Sequence, residues 1–135
     1  ADAYDKLSKV ILKEIDLIEE EDLLEKEITI HEAFAKEKTR HFVGREKIVE
    51  RILDYTKGTT NAPLVLHGES GTGKSALMAY SSQKVFNEYP NTKVIFRFLG
   101  VSPESSNSRA LLENVCQQIF TSFRFEKIKE LEGKM

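Results

Sequence analysis

The sequence predicts an α/β chain: a parallel βαβ unit with flanking helices, preceded by an acidic helical arm. Three observations predict it. Residues 3–36 contain neither Gly nor Pro and space apolar side chains at helical intervals. Two short apolar runs, "LVLH" at 64–67 and "KVIFRFLG" at 93–100, leave no room for a helix and read as strands. Between them, residues 73–88 form a helical segment, and strand, helix, strand in that order implies a parallel pair.

Each element has its own local reason. In the arm, Leu7, Ile11, Ile15 and Ile18 recur at spacings of four and three, and Leu24, Ile28 and His31 continue a stripe. The phase is disturbed at "EEEDL", so one long helix or two consecutive ones are expected. A helix this charged with a narrow apolar stripe needs a partner surface. A second helix starts near Arg45, carries Ile48, Ile52, Leu53 and Tyr55 on its apolar face, and ends at Gly58 by the left-handed conformation glycine tolerates. Pro63 leads into the first strand, and Pro90 stops the helix after the glycine loop. The second strand is apolar almost throughout, as a strand covered on both faces would be. After the polar loop "VSPESSNS" a last helix puts Leu111, Leu112, Val115, Ile119 and Phe123 on one side, and residues 126–135 are a charged end.

Composition narrows the class. The net charge of −2 conceals eleven acidic against four basic side chains in residues 1–32, and sixteen basic against eleven acidic in the rest. A mildly basic body suits an anionic ligand. No Lys/Arg run is interleaved with aromatics, so nucleic acid is not expected. No run of 18 apolar residues or signal-peptide pattern occurs, which points away from a membrane and toward the cytoplasm. Cys116 is expected as a small packing residue, and His31, His41 and His67 lack the spacing of metal ligands.

The stretch "HGESGTGKSA" carries the chemistry. Gly68, Gly73, Lys74 and Ser75 satisfy G-x-x-x-x-G-K-[S/T], the phosphate loop. Gly68 and Gly71 permit backbone angles that turn successive N–H groups inward around a phosphate. Gly73 lets the backbone approach where the helix starts, and the helix N-terminus adds donors and partial positive charge. Lys74 supplies a mobile cation for the β- and γ-phosphates, and Ser75 a hydroxyl ligand for Mg²⁺. Glu69, Ser70, Thr72 and Ala76 complete the expected nucleotide-binding set. Arg97 alternates with Phe96 and Phe98 and so faces the other way, either to an ion pair or to the nucleotide end. Hydrolysis needs an acidic strand end to hold Mg²⁺ and a group to position water. No apolar run ending in Asp or Glu follows Lys74. The chain is therefore expected to be the N-terminal piece of a larger P-loop NTPase domain, binding nucleotide without hydrolysing it efficiently alone.

"HFVGREKIVERIL", "APLVLHGESGTGKSALMA" and "VIFRFLGVSPESSNSRALLENVCQQI" together resemble the start of the NTPase domain of signal-transduction ATPases with numerous domains (STAND). The likeness is to the NACHT class and, within it, to NACHT and WD-repeat-containing proteins, over residues 31 to 120. It implies that the segment upstream of the loop, here Phe42, Val43, Gly44 and Arg45, folds over the adenine. It also implies ATP or ADP with Mg²⁺ as ligands, nucleotide-dependent oligomerisation, and a parent protein with C-terminal repeats. Residues 1–38 then correspond to an acidic linker arm and 39–135 to the N-terminal portion of the NTPase domain. The alternative is a helical interaction or regulatory module with a vestigial nucleotide site.

Overall fold

The computed structural model describes residues 2–134. Four α-helices account for most of them: α1 (Asp2–Thr39), α2 (Glu46–Lys57), α3 (Lys74–Glu88) and α4 (Ser108–Glu132), with a 3₁₀ turn at Glu104–Ser106. Contacts gather the chain into two compact units. One ends at Ile30 and resumes from Ser102, and the other is His31–Val101. That grouping follows contacts, whereas a division after residue 38 follows composition and family likeness.

The α/β expectation is corrected here. Among the described residues there is no β-strand, and hence no parallel βαβ unit of P-loop type: the fold is helical. Both apolar runs are present as irregular backbone. Val65 is 72% exposed and only Leu66 of the first run is partly covered, while residues 94–98 are half-buried rather than covered on both faces. A strand exists only through a ladder of hydrogen bonds to a neighbour. Apolar periodicity reports what a segment can bury and says nothing of who pairs with it. One N–H of the second run finds another acceptor, since Phe98 N donates to His31 Nδ1 of α1 at 3.1 Å.

In the unit His31–Val101 the core is Val49 and Ile52 of α2 against Leu77 of α3, with Phe42, Leu53, Leu66 and Tyr80 packed around them. Phe42 stacks on Tyr80 with ring centroids 4.5 Å apart. The end of α1 belongs to this unit through His31, fully buried, and Ala35. Phe34 lies 4.9 Å from Phe98, centroid to centroid, and Lys38 sits over the Phe34 ring. At the far end of α2, Lys57 pairs with Glu88 at 3.5 Å. Tyr89, and after it Glu88, raises the Lys57 ammonium above its ordinary 10.5. Gly58 follows α2 in an extended rather than left-handed conformation, and its hydrogen position faces Tyr55 O so closely that a Cβ would lie 3.3 Å from it. Close approach, not positive φ, is the reason for glycine there.

The other unit is held by a buried polar cluster. Ser102 Oγ donates to Glu27 Oε1 at 2.5 Å, Ser102 N donates to Ser105 Oγ, and Ser105 N donates back to Ser102 Oγ. Asn107 caps α4, its Oδ1 accepting from Arg109 N and Ala110 N. Within α4, Arg109 pairs with Glu113, which raises the guanidinium's already high pKa. Leu111 and Val115 are half-buried, but Leu112, Ile119 and Phe123 are exposed, so only one edge of the expected apolar side is covered. Cys116 is exposed, not a packing residue. No described helix is long and apolar enough to cross a membrane.

Candidate functional site

The glycine loop leads from Leu66 of the core into α3. Gly71 and Gly73 have φ of 79° and 82°, in the left-handed region where a side chain is strained. A Cβ on Gly68 would come within 3.2 Å of Thr72 Oγ1, so that glycine serves close approach instead. Thr72 folds the loop on itself, its hydroxyl donating to Glu69 O at 2.7 Å. Lys74, the first residue of α3, turns its Nζ back to donate to Gly68 O at 2.8 Å and Glu69 O at 2.6 Å. Ser75 is exposed on the first turn of α3, while Ala76 is half-buried. Glu69 and Ser70 are exposed, and Arg97 donates to the carbonyl of its neighbour Phe96.

The upstream segment meets this loop. Gly44 and Arg45 both have positive φ, 85° and 63°, and Arg45 does so without glycine's freedom. This pair of left-handed residues reverses the chain between Phe42 in the core and the first turn of α2. It delivers the Arg45 guanidinium to Thr72 O, to which its NH2 group donates. The same guanidinium lies 3.9 Å from where a Cβ on Gly73 would stand. Between the two segments runs an open groove of about 350 Å³, bordered by Lys38, His41, Phe42, Arg45, Gly73 and Ala76. Val43 also borders it and is almost wholly exposed.

Residues two dozen positions apart in sequence, singled out for separate reasons, thus share one side of the unit. Lys38 and His41 join them, and sequence reasoning missed both. A signal was available for Lys38, in the basic last turn that Lys36 and Lys38 give α1. No group of three or more His, Cys, Asp or Glu suited to a metal ion occurs among the described residues. The loop's chemistry nevertheless fits a nucleotide phosphate with its cation: open glycine backbone, a helix N-terminus, an ammonium and an exposed hydroxyl.

The family model for novel STAND NTPase 1 matches residues 31–117. The chain belongs to this family. Its relatives place this STAND/NACHT-related region in large proteins. It is 32% identical over 108 residues to human NACHT domain- and WD repeat-containing protein 1, a match covering 74% of this chain and 7% of the relative. It is 32% identical over 117 residues to the mouse protein of that name, covering 83% and 8%. To human NACHT and WD repeat domain-containing protein 2 it is 35% identical over 69 residues, covering 46% and 4%. The chain therefore spans less than a tenth of the length of the curated relatives it matches. No solved structure gives a significant match.

Proposed function

We propose that this STAND NTPase region is the ATP- or ADP-binding segment of a signal-transduction switch ATPase. Gly68–Ser75 holds the phosphates, Ser75 takes Mg²⁺, and Phe42, Val43, Gly44 and Arg45 border the adenine side. The observation that carries this reading is the convergence of the upstream segment and the glycine loop, tied by Arg45 and Thr72 across a common groove. Its volume lies at the lower end of the range of ligand pockets, about 300–1,000 Å³. Lys38, His41 and Arg45 line it with basic groups, opposed by Glu37. Bound Mg²⁺ supplies neutralisation of phosphate charge. Lys74 exchanges its two carbonyl acceptors for phosphate oxygens, and the N-terminal N–H groups of α3 point to the same anion. The region binds in the service of a larger protein, whose oligomerisation and C-terminal repeats do the signalling.

The test is the affinity of a fluorescent ATP analogue with Mg²⁺ for the chain and for Lys74→Ala. Loss of a charge-assisted contact weakens binding by about 1.5–3 kcal/mol, tenfold to over a hundredfold. Equal affinity for both proteins sinks the proposal.

The second reading, a helical interaction module, is favoured by the helical fold itself and by the large apolar side chains left exposed along α1. Light scattering separates the two. Association indifferent to nucleotide and to Lys74 supports the module, whereas association that follows nucleotide supports the switch.

A further inference from the structure

Helix α1 leaves apolar side chains exposed on several sides, Val10, Leu12 and Leu17 among them, and its densest exposed stripe lies away from its buried face. Leu24 and Glu27 pack within their unit, 4% and 5% exposed, and define an inward face. At 100° per residue, Tyr4, Leu7, Ile11, Ile15 and Ile18 fall within a sector of about 80°, roughly opposite that face. All five are between 46% and 75% exposed. The helix runs unbroken through both stretches, so the phase change at "EEEDL" is a change of face within one helix rather than a break between two. Turning the helix to cover the stripe would uncover Leu24 and Glu27. The fold of this chain has no use for the stripe, and it spans about four turns, or roughly 20 Å.

The rim identifies what covers it. Glu14 and Glu21 flank the stripe on one side and Glu19 on the other, while Asp22 and Glu25 continue its line. From residue 14 to residue 25 there is no basic side chain. Lys6, Lys9 and Lys13 project from the far side of the helix by the same geometry. A parallel second copy would set Glu14, Glu19 and Glu21 against themselves. An antiparallel copy matching Leu7 to Ile18 and Ile11 to Ile15 would leave the acidic rim without cations. An anionic lipid surface is repelled by the same rim. We infer that α1 is a docking rail for a basic amphipathic helix, one with a Leu/Ile ridge flanked by Lys or Arg.

The experiment uses the full chain and two synthetic helical peptides of 21 residues sharing one Leu/Ile ridge, with Lys flanks in one and Glu flanks in the other. Fluorescence anisotropy should show the Lys peptide binding at least thirtyfold more tightly than its twin at low salt, with the preference shrinking in high salt. Ile11→Ala with Ile15→Ala, whose helicity is checked by circular dichroism, should weaken the Lys peptide at least tenfold. Glu14→Lys with Glu19→Lys and Glu21→Lys should transfer the preference to the Glu peptide. Lys74→Ala should change nothing, which separates this result from that of the nucleotide site. Four results each overturn the inference: equal binding of the twins, indifference to the isoleucine pair, a dimer of the chain dissolved by the isoleucine substitutions, or stripe-dependent binding to neutral phosphatidylcholine vesicles.

Discussion

His31→Phe and His31→Ala together measure what the imidazole contributes to the unit His31–Val101. The side chain is fully buried, its Nδ1 accepts the Phe98 amide at 3.1 Å, and its ring lies nearly parallel to that of Phe98 with centroids 6.2 Å apart. Phenylalanine keeps an aromatic ring, somewhat larger, and removes both ring nitrogens, leaving the covered Phe98 N–H unpaired at a cost of about 1–3 kcal/mol. Alanine adds a cavity where the ring stood, bringing the total to about 3–5 kcal/mol, a large share of the 5–15 kcal/mol that holds a domain. Urea unfolding gives both numbers. Amide exchange gives the local one, with Phe98 expected to exchange at least tenfold faster in His31→Phe. A His31→Phe protein as stable as the parent, with Phe98 protected as before, would refute the claim that this side chain holds the 94–98 segment.

Gly73→Ala should destabilise by about 1–2 kcal/mol, seen in thermal unfolding. The cause is backbone strain at φ of 82°, since the added Cβ meets the Arg45 guanidinium only at ordinary contact distance. Ser102→Ala removes a buried donor from the Glu27 carboxylate and an acceptor from Ser105 N, and should cost about 2–3 kcal/mol in urea unfolding. Lys57, with its pKa raised in the fold, stabilises below its ordinary 10.5 and loses that contribution as pH climbs through the raised value. Stability measured between pH 9 and 12 should therefore fall more steeply in the parent than in Lys57→Met, by a small margin because the pair is exposed.

The helices were legible because their causes are local. An unbroken run without Gly or Pro gave α1, and Pro90 closed α3 at Glu88 as expected. The loop glycines were legible for the same reason, since positive φ at Gly71 and Gly73 is a demand each residue meets alone. What sequence could not supply was partnership. "KVIFRFLG" states its wish for burial, but pairing depends on another segment, and here a histidine side chain answers one of its amides. The serine cluster hid for a similar reason. Ser102 and Ser105 look like loop residues until Glu27, 75 positions away, closes the network. Val49 was missed and Ile48 overrated on α2, where Ile48 falls at the edge of the sector that Val49 and Ile52 share.

The Lys74 ammonium is engaged before any ligand arrives. Because it already holds two carbonyl oxygens, the phosphate of the proposed nucleotide would enter by displacing them rather than by occupying an open seat. An ammonium has three N–H donors and two are engaged here, so the third can meet a phosphate oxygen first and the other two change partners afterwards, which leaves the net enthalpy a small difference between like terms. Replacing Lys74 thus alters the ligand-free loop as well as the complex. The loss of affinity expected in Lys74→Ala, about 1.5–3 kcal/mol, is therefore a net value that already includes giving up the clasp.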